Sequence, residues 1–211
     1  MYEKYWNTVW NTADIEEYRN YIAGYNQLQN DMVAVFRANG VYKVCDAACG
    51  FGANSLVLHS NGFQVYGFDI ADASVKITTA LLTEYGLHEN RFKKASMMDT
   101  GYSDHEFDAV AARAVLDHLS CADLQKALCE LKRITKENGL VYASFDPLED
   151  DDAALAHEIT EDGSFIYTDP SRAGLLFHFY SDDEIKRLFR KEKLLSFQTD
   201  PHGNRHIILQ L

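Results

Sequence analysis

The residues of this chain whose types and spacing favour ligand chemistry lie in one loop, from Val44 to Ser55, and in one acid beyond it. The loop reads Val-Cys-Asp-Ala-Ala-Cys-Gly-Phe-Gly-Ala-Asn-Ser, between a strand pattern and a helix pattern. Because Gly50 and Gly52 lack a Cβ atom, a ligand can approach the backbone, and the next helix offers free N–H groups and a positive dipole end. Asp69 stands 17 residues after Gly52, at the end of the next strand pattern, where a carboxylate can accept both hydroxyl protons of a ribose. Together, the loop and the acid indicate a nucleoside-containing cofactor.

Two kinds of cofactor fit this pattern. A dinucleotide site has a third glycine three positions after the second, which allows close helix packing, and here that position is Ser55. The stretch instead resembles the first motif of the class I S-adenosylmethionine-dependent methyltransferases, D-x-G-x-G-x-G, with matches at Asp46, Gly50 and Gly52. Ala48 replaces the first glycine of that motif, a mild change that slightly reduces the room beside the methionine part of the cofactor.

The resemblance extends over about residues 42–146. Asp69 stands where the family has its ribose-binding acid, and Met98-Asp99 resembles the pair that frames the adenine. Residues 107–119 resemble the family's fourth strand and following turn, and residues 131–141 resemble its helix and fifth strand. The resemblance implies S-adenosylmethionine as the cofactor and S-adenosylhomocysteine as the product. It also implies a set of cofactor-binding residues, namely Asp46, Ala48, Cys49, Gly50, Gly52, Asn54, Asp69, Ile70, Met98, Asp99 and Arg113.

Two histidines are candidate acid–base groups, because imidazole titrates near neutral pH. His118 follows the fourth strand pattern, where family members place residues that face the transferred methyl group, and His178 lies in an aromatic strand pattern before the last helix. A packed, hydrogen-bonded histidine is the alternative at both positions. No metal site is predicted, because His202 and His206 straddle a turn at Gly203 and the four cysteines form no CxxC pair.

The elements that must position these residues alternate as strands and helices. A helix pattern covers residues 13–38, and strand patterns follow at 42–46, 63–68, 92–95, 107–112 and 139–145, with helix patterns between them. A capping box at Ser181 opens a last helix, and residues 202–204 join two final strands. This order predicts an α/β, Rossmann-like, doubly wound domain over residues 1–211, with a mostly parallel seven-stranded sheet and an antiparallel edge strand.

Two aromatic segments lie outside this alternation. The first ten residues are followed by the helix pattern, and residues 147–180 form an insertion with short strand patterns at 164–168 and 175–180. We predict that residues 1–38 and 147–180 are flaps that cover the acceptor site, as related methyltransferases do. The aromatic residues of the two flaps are Tyr2, Tyr5, Trp6, Trp10, Phe165, Tyr167, Phe177, Phe179 and Tyr180.

Composition limits the partners of the chain. It has 211 residues and a formal net charge of −12, which disfavours nucleic acid and anionic membranes as partners. No apolar run reaches the ~18 residues of a membrane helix, and the N-terminus lacks the basic and apolar parts of a signal peptide, so a cytoplasmic protein is expected. The composition does not indicate an oligomeric state.

These features predict methyl transfer from S-adenosylmethionine to the oxygen, nitrogen or sulfur atom of a small-molecule acceptor. The chain lacks the Asn/Asp-Pro-Pro-aromatic run and the Pro-Cys pair of enzymes that methylate nucleic-acid bases. Two alternatives stay open at this point. One is an NAD(P)-dependent oxidoreductase, and the other is a non-catalytic S-adenosylmethionine-binding protein.

Overall fold

The computed structural model describes residues 2–24, 31–87 and 90–211. The helices are α1 (Tyr2–Asn11), α2 (Ile15–Gly24), α3 (Met32–Ala38), α4 (Ala53–Ser60), α5 (Asp72–Thr83), α6 (Cys121–Ile134), α7 (Asp150–Ala154) and α8 (Asp182–Leu188). The strands are β1 (Lys43–Ala47), β2 (Gln64–Asp69), β3 (Phe92–Lys94), β4 (Phe107–Ala112), β5 (Thr135–Phe145), β6 (His157–Ile159), β7 (Phe165–Tyr167), β8 (Leu176–Phe177), β9 (Lys193–Thr199) and β10 (Arg205–Gln210). None of the helices within these ranges is long and apolar enough to cross a membrane.

Seven strands form the main sheet, in the order β3-β2-β1-β4-β5-β10-β9. The pairs from β3 to β5 are all parallel, whereas β10 pairs antiparallel with both β5 and β9. The predicted mostly parallel sheet with an antiparallel edge is therefore confirmed. Because the chain winds in opposite directions from β1 and from β4, the carboxyl ends of these two strands flank the switch point where such sheets bind ligands.

Both faces of the sheet are covered. In β4, Val110 and Ala112 belong to the apolar cluster beneath α6, whereas Ala109 and Ala111 belong to the cluster beneath α3, α4 and α5. All four side chains are fully buried, as expected for a central strand of a parallel sheet between two helical layers.

The N-terminal segment differs from the sequence prediction. Residues 2–11 form α1, although the sequence analysis places the first helix only after them. Where one helix is predicted over 13–38, the structure has α2 and α3. Tyr25 and Leu28 of the predicted helix lie outside the described residues. Helix α1 has no fully buried residue, and Asn, Thr and Val have modest helix propensities, so local sequence signals it weakly.

The insertion after β5 forms a small antiparallel sheet of its own, in the order β6-β7-β8. Strands β7 and β8 coincide with the two strand patterns predicted there, whereas β6 and α7 have no counterpart in the prediction. Its apolar cluster, which includes Tyr167 and Phe177, packs against Tyr5 and Trp6 of α1. The backbone N–H of His178 also donates to the carbonyl of Asp117, at 2.7 Å, which joins the insertion to the turn after β4.

Candidate functional site

A cavity of about 520 Å³ lies at the carboxyl ends of the parallel strands. Most of the predicted site residues converge on it from the loops after β1, β2, β3 and β4, and α1 lies across it. The predicted site residues in its wall are Asp46, Ala48, Cys49, Gly50, Asn54, Asp69, Ile70, Met98, Arg113 and His118. The predicted residues Gly52, Asp99 and His178 are not part of that wall.

Asp46 is the residue before the last one of β1, and each of its carboxylate oxygens accepts a hydrogen bond. One carboxylate oxygen accepts from the Asn54 amide nitrogen at 2.7 Å, and the other accepts from the Ser55 hydroxyl at 2.5 Å. Burial raises the pKa of Asp46 to about 6, despite these hydrogen bonds. The amide oxygen of Asn54 is buried and has no hydrogen-bond partner among the described residues.

The glycine loop adopts left-handed backbone conformations that suit residues without a side chain. Gly50 has φ +56° and Gly52 has φ +90°, and Ala48, which replaces a glycine of the family motif, has φ +56°. A Cβ atom on Gly50 would lie 3.4 Å from the Trp10 indole at the cavity wall. A Cβ atom on Gly52 would lie 2.9 Å from Leu82 of α5. In this structure, Gly52 therefore allows helix packing, while Gly50 faces the cavity.

Asp69 links the loop after β1 to the end of β2. Its Oδ2 atom accepts from the Gly50 N–H at 3.0 Å, and its Oδ1 atom accepts from the Ala71 N–H at 2.9 Å. The residue is 5% exposed, and burial raises the pKa of its carboxyl group. Each carboxylate oxygen has a second lone pair, so both can accept a further hydrogen bond from a ligand.

The region predicted to frame an adenine is only partly at the cavity. Met98 lines it, together with Ala95, Ser96 and Met97 from the same loop. Asp99 is exposed, and its N–H closes a turn by donating to the Ser96 carbonyl at 3.1 Å. The structure therefore brings the methionine of the predicted pair to the cavity and leaves the aspartate outside it.

His118 is held in one tautomer. Its Nδ1 atom lies 3.2 Å from the Leu176 carbonyl oxygen, and because a carbonyl only accepts, Nδ1 carries the proton. The ring packs edge-on against Trp6 and Phe177, with centroid distances of 5.2 and 4.8 Å. Burial lowers the pKa of His118, so the ring is neutral near pH 7 and Nε2 carries a lone pair.

His178 lies outside the cavity wall. It is 8% exposed, its Nδ1 atom is 3.0 Å from the Ser164 hydroxyl, and its ring packs on Tyr180. Potential metal-ligand atoms of Cys121, Asp162 and His178 lie within 4.8 Å of one another. The Asp162 carboxylate already accepts from the Cys121 N–H and from the Ser164 hydroxyl, so these hydrogen bonds account for the group without an ion.

The sequence prediction lacks several polar residues of the wall, among them Ser96, Ser144, Asp146, Asn204 and His206. Asp146 directly follows β5, and an acid at the end of a parallel strand is a signal that could have identified it. His206 lies on β10, and its ring nitrogens contact the Tyr142 hydroxyl at 2.9 Å and the Asp200 carboxylate at 3.2 Å. Its place at the cavity depends on the reversed direction of β10, which spacing alone does not reveal.

The part of the chain that builds this cavity is similar in sequence to a family of known proteins. The family described as "Methyltransferase domain" matches residues 45–143, which contain most of β1, all of β2 to β4, most of β5 and the cavity loops between them. Residues 45–143 therefore form a methyltransferase domain that is similar to the class I S-adenosylmethionine-dependent enzymes. The resemblance inferred from the motif at Asp46, Gly50 and Gly52 is confirmed at the level of the family.

Solved structures share the methyltransferase fold over nearly the whole chain. The PH0226 protein of Pyrococcus horikoshii has a TM-score of 0.73 and 19% identity, over 94% of this chain and 93% of its own. The 1,6-didemethyltoxoflavin-N1-methyltransferase of Burkholderia thailandensis, solved with 1,6-didemethyltoxoflavin and S-adenosylhomocysteine, has a TM-score of 0.67 and 16% identity, over 94% and 90%. At these identities the likeness concerns the fold.

A curated sequence relative covers a smaller region. The ubiquinone biosynthesis O-methyltransferase of Nitrosospira multiformis is 30% identical over 91 residues, which are 39% of this chain and 38% of that protein. The chain spans less than half the length of the curated relatives it matches. These relatives therefore support a methyltransferase core in this chain. They do not show which acceptor it methylates.

Proposed function

We propose that this protein transfers a methyl group from S-adenosylmethionine to a small-molecule acceptor. The observation that carries the proposal is the convergence of Asp46, Gly50 and Asp69 on one cavity at the switch point of a methyltransferase sheet. The toxoflavin relative, which has the same fold, is a small-molecule methyltransferase with S-adenosylhomocysteine bound. Both observations favour a cavity that binds S-adenosylmethionine together with a small-molecule acceptor.

The residues present fit this cofactor. The Asp69 oxygens have lone pairs for two ribose hydroxyls, and the Asn54 amide oxygen is a buried acceptor that lacks a partner within the described residues. Gly50 leaves room for a ligand beside the backbone, and Arg113 in the wall can pair with the carboxylate of the cofactor. When bound, S-adenosylmethionine supplies an electrophilic methyl group on a sulfonium centre.

The chain contributes orientation, water exclusion and a proton acceptor. Displacement at a methyl carbon depends on alignment and on a dry site more than on a strong base. Trp6 and Trp10 of α1 line the cavity, and the insertion packs on α1. We assign His118 the role of general base, since its Nε2 lone pair can take a proton from a hydroxyl or amine acceptor.

A small molecule is favoured over a macromolecule. The cavity volume of about 520 Å³ falls within the range of small-molecule sites, and the net charge of −12 opposes nucleic acid. The four cysteines are free, which supports a reducing compartment such as the cytoplasm. These points support a cytoplasmic metabolic enzyme without a nucleic-acid or membrane partner.

Calorimetry followed by a transfer assay tests the proposal. We expect S-adenosylmethionine and S-adenosylhomocysteine to bind and NAD not to bind, whereas binding of NAD alone would favour an oxidoreductase. Transfer of labelled methyl groups to members of a metabolite panel would establish the enzyme. Cofactor binding without transfer to any acceptor would favour the non-catalytic alternative.

A matched pair of variants tests the assignment of the base. We expect His118→Gln to lower the transfer rate at least tenfold and to flatten its rise with pH, because Nε2 can no longer take a proton. His178→Gln serves as the control, since His178 is a packed histidine away from the cavity wall. Equal rates for the two variants would contradict a role of His118 as the base.

A further inference from the structure

The carboxylate of Asp146 is the one acid of the cavity wall that lacks a partner in the described part of the chain. Asp46 and Asp69 each accept two hydrogen bonds, as described above, and these bonds fix their orientation. Asp146 directly follows β5 and is half-buried, and its side chain has no hydrogen bond or ion pair within the described ranges. A carboxylate that faces a cavity without a partner can accept hydrogen bonds from a ligand.

A second buried acid lies next to Asp146. The Oδ2 atom of Asp117 accepts from the backbone N–H of Asp146 at 2.9 Å, and its Oδ1 atom is buried with no hydrogen-bond partner among the described residues. Burial and the Asp117 charge raise the pKa of Asp146 to about 6, while His118, Arg113 and Arg205 act in the opposite direction. The Asp146 carboxylate therefore faces the cavity in a poorly solvated setting, where a positively charged group of a ligand can pair with it.

Aromatic rings also line the cavity, and one of them, Trp6, packs against the His118 ring with the ring centroids 5.2 Å apart. Tyr2, Trp6 and Trp10 of α1, together with Tyr21 of α2, line the same cavity. The faces of indole and phenol rings attract cations, and Trp is the strongest of the aromatic side chains in this respect. A carboxylate and several aromatic rings in one cavity form a combination that suits an organic cation.

We propose that Asp146 binds the methyl acceptor and that the acceptor presents an amine to this carboxylate. The proposal rests on the proposed function, because it assigns the acceptor end of the same cavity. An acceptor that carries a carboxylate near this point is disfavoured by repulsion from Asp146 and Asp117. A neutral hydroxyl can donate a hydrogen bond to Asp146, but it lacks the attraction between opposite charges that an ammonium ion has with this carboxylate.

The amine loses a proton before it accepts the methyl group. The amine enters as an ammonium ion held by Asp146 and gives one proton to Nε2 of His118. Its nitrogen lone pair attacks the methyl carbon, the carbon–sulfur bond breaks, and the electron pair of that bond passes to sulfur. The methylated amine is again an ammonium ion, and Asp146 stabilises its charge until the product leaves.

Ligand binding to the protein saturated with S-adenosylhomocysteine tests this inference. The probes are nine small molecules in three matched sets, built on a phenyl, an indolyl or an alkyl group. Each set contains one compound that ends in an ethylamine, one that ends in an ethanol and one that ends in a propionate. Binding of each compound is measured by ligand-observed NMR titration. We expect at least one amine to bind tenfold or more tightly than its alcohol, and the propionates not to bind. Asp146→Asn should remove the preference for the amine and leave the affinity for S-adenosylhomocysteine within about twofold.

Two controls separate the possible outcomes. Asp150→Asn changes an exposed acid of α7 outside the cavity wall and should retain the amine preference. If Asp146→Asn does not fold, Asp146→Ser replaces it and the same criteria apply. Failure of the wild type to bind S-adenosylhomocysteine would overturn the proposed function itself. Normal binding of S-adenosylhomocysteine with no amine preference, or with a preference that Asp146→Asn retains, would overturn this inference alone.

Discussion

The carboxylate of Asp69, at the end of β2, accepts a hydrogen bond of 3.0 Å from the backbone N–H of Gly50, in the loop after β1. The two residues are 19 positions apart in the sequence and belong to neighbouring parallel strands. The bond joins the acid and the glycine of the nucleoside pattern into one unit before any ligand is present. Asp69 therefore shapes the loop in addition to its proposed contact with the ribose.

Substitution of Asp69 separates these two roles. Asp69→Ala removes the acceptor of both the Gly50 and the Ala71 N–H, so we expect a loss of about 1–3 kcal/mol in the free energy of unfolding. Asp69→Asn keeps one acceptor oxygen, so its free energy of unfolding should be higher than that of Asp69→Ala. It should nevertheless weaken S-adenosylhomocysteine binding at least tenfold, because charge-assisted hydrogen bonds are lost. Calorimetry and urea unfolding measure the two effects, and an Asn variant with wild-type affinity would refute the ribose contact.

Gly50 offers a test with a matched control. Both Gly50 and Gly40 have left-handed backbones, with φ +56° and +69°, but only Gly50 lies at the cavity wall. Alanine at either position should cost about 1–2 kcal/mol of stability, because a Cβ atom is unfavourable in this conformation. Only Gly50→Ala should also weaken S-adenosylhomocysteine binding, since its Cβ atom enters the space between the loop and Trp10. Equal affinities of the two variants would mean that the loop does not approach the ligand.

Local patterns predicted the central part of this fold well. The strand predicted at 107–112 coincides with β4, whose apolar run is what a strand buried on both faces requires. The capping box predicted at Ser181 is present, with Glu184 as its second member, and Ser120 caps α6 by accepting from the Asp123 N–H. Such signals act within a few residues of the chain, so a single sequence carries them.

Features that depend on distant contacts were not predicted. Helix α1 is held by tertiary interactions, such as the Tyr2 hydroxyl with Asp123 at 3.0 Å, so residues 2–11 alone give little sign of it. Asn204 and His206 reach the cavity because β10 inserts antiparallel beside β5. His178 follows an aromatic pattern that suggested the acceptor site, but β8 directs it to Ser164 instead. Orientation within the insertion is a property of its small sheet, which periodicity does not specify.

Intrinsic fluorescence provides a direct test of α1 as a flap. The chain has two tryptophans, Trp6 and Trp10, and both lie on α1 and line the cavity. Binding of S-adenosylhomocysteine should therefore shift or quench the tryptophan emission of the whole protein, because the ligand replaces water beside the indoles. Removal of residues 2–11 should lower the affinity by far more than it lowers the melting temperature, since no residue of α1 is fully buried. Two results would contradict the role of α1 as a flap: a truncated protein that binds S-adenosylhomocysteine with normal affinity, or tryptophan emission that does not change at a saturating ligand concentration.

The stability of the protein should depend on pH through Asp117. Burial raises the pKa of this carboxyl group from 3.8 to about 6, and its Oδ1 atom has no hydrogen-bond partner within the described residues. Between these two values the unfolded chain has released the proton while the native protein retains it, so the native state loses stability as pH rises through this window. Two pKa units correspond to about 3 kcal/mol at pH values above the window. Asp117→Asn removes this penalty and keeps an oxygen that can accept from the Asp146 N–H.

We therefore expect Asp117→Asn to be more stable than the wild type at about pH 8, by about 1–3 kcal/mol, and to lose this advantage as the pH falls to about 4. Urea unfolding across this range measures the difference. Asp150→Asn removes the same formal charge from an exposed position and should show no comparable trend, which separates burial from net charge. A constant difference between Asp117→Asn and the wild type at all pH values would show that Asp117 does not carry a buried charge in the native protein.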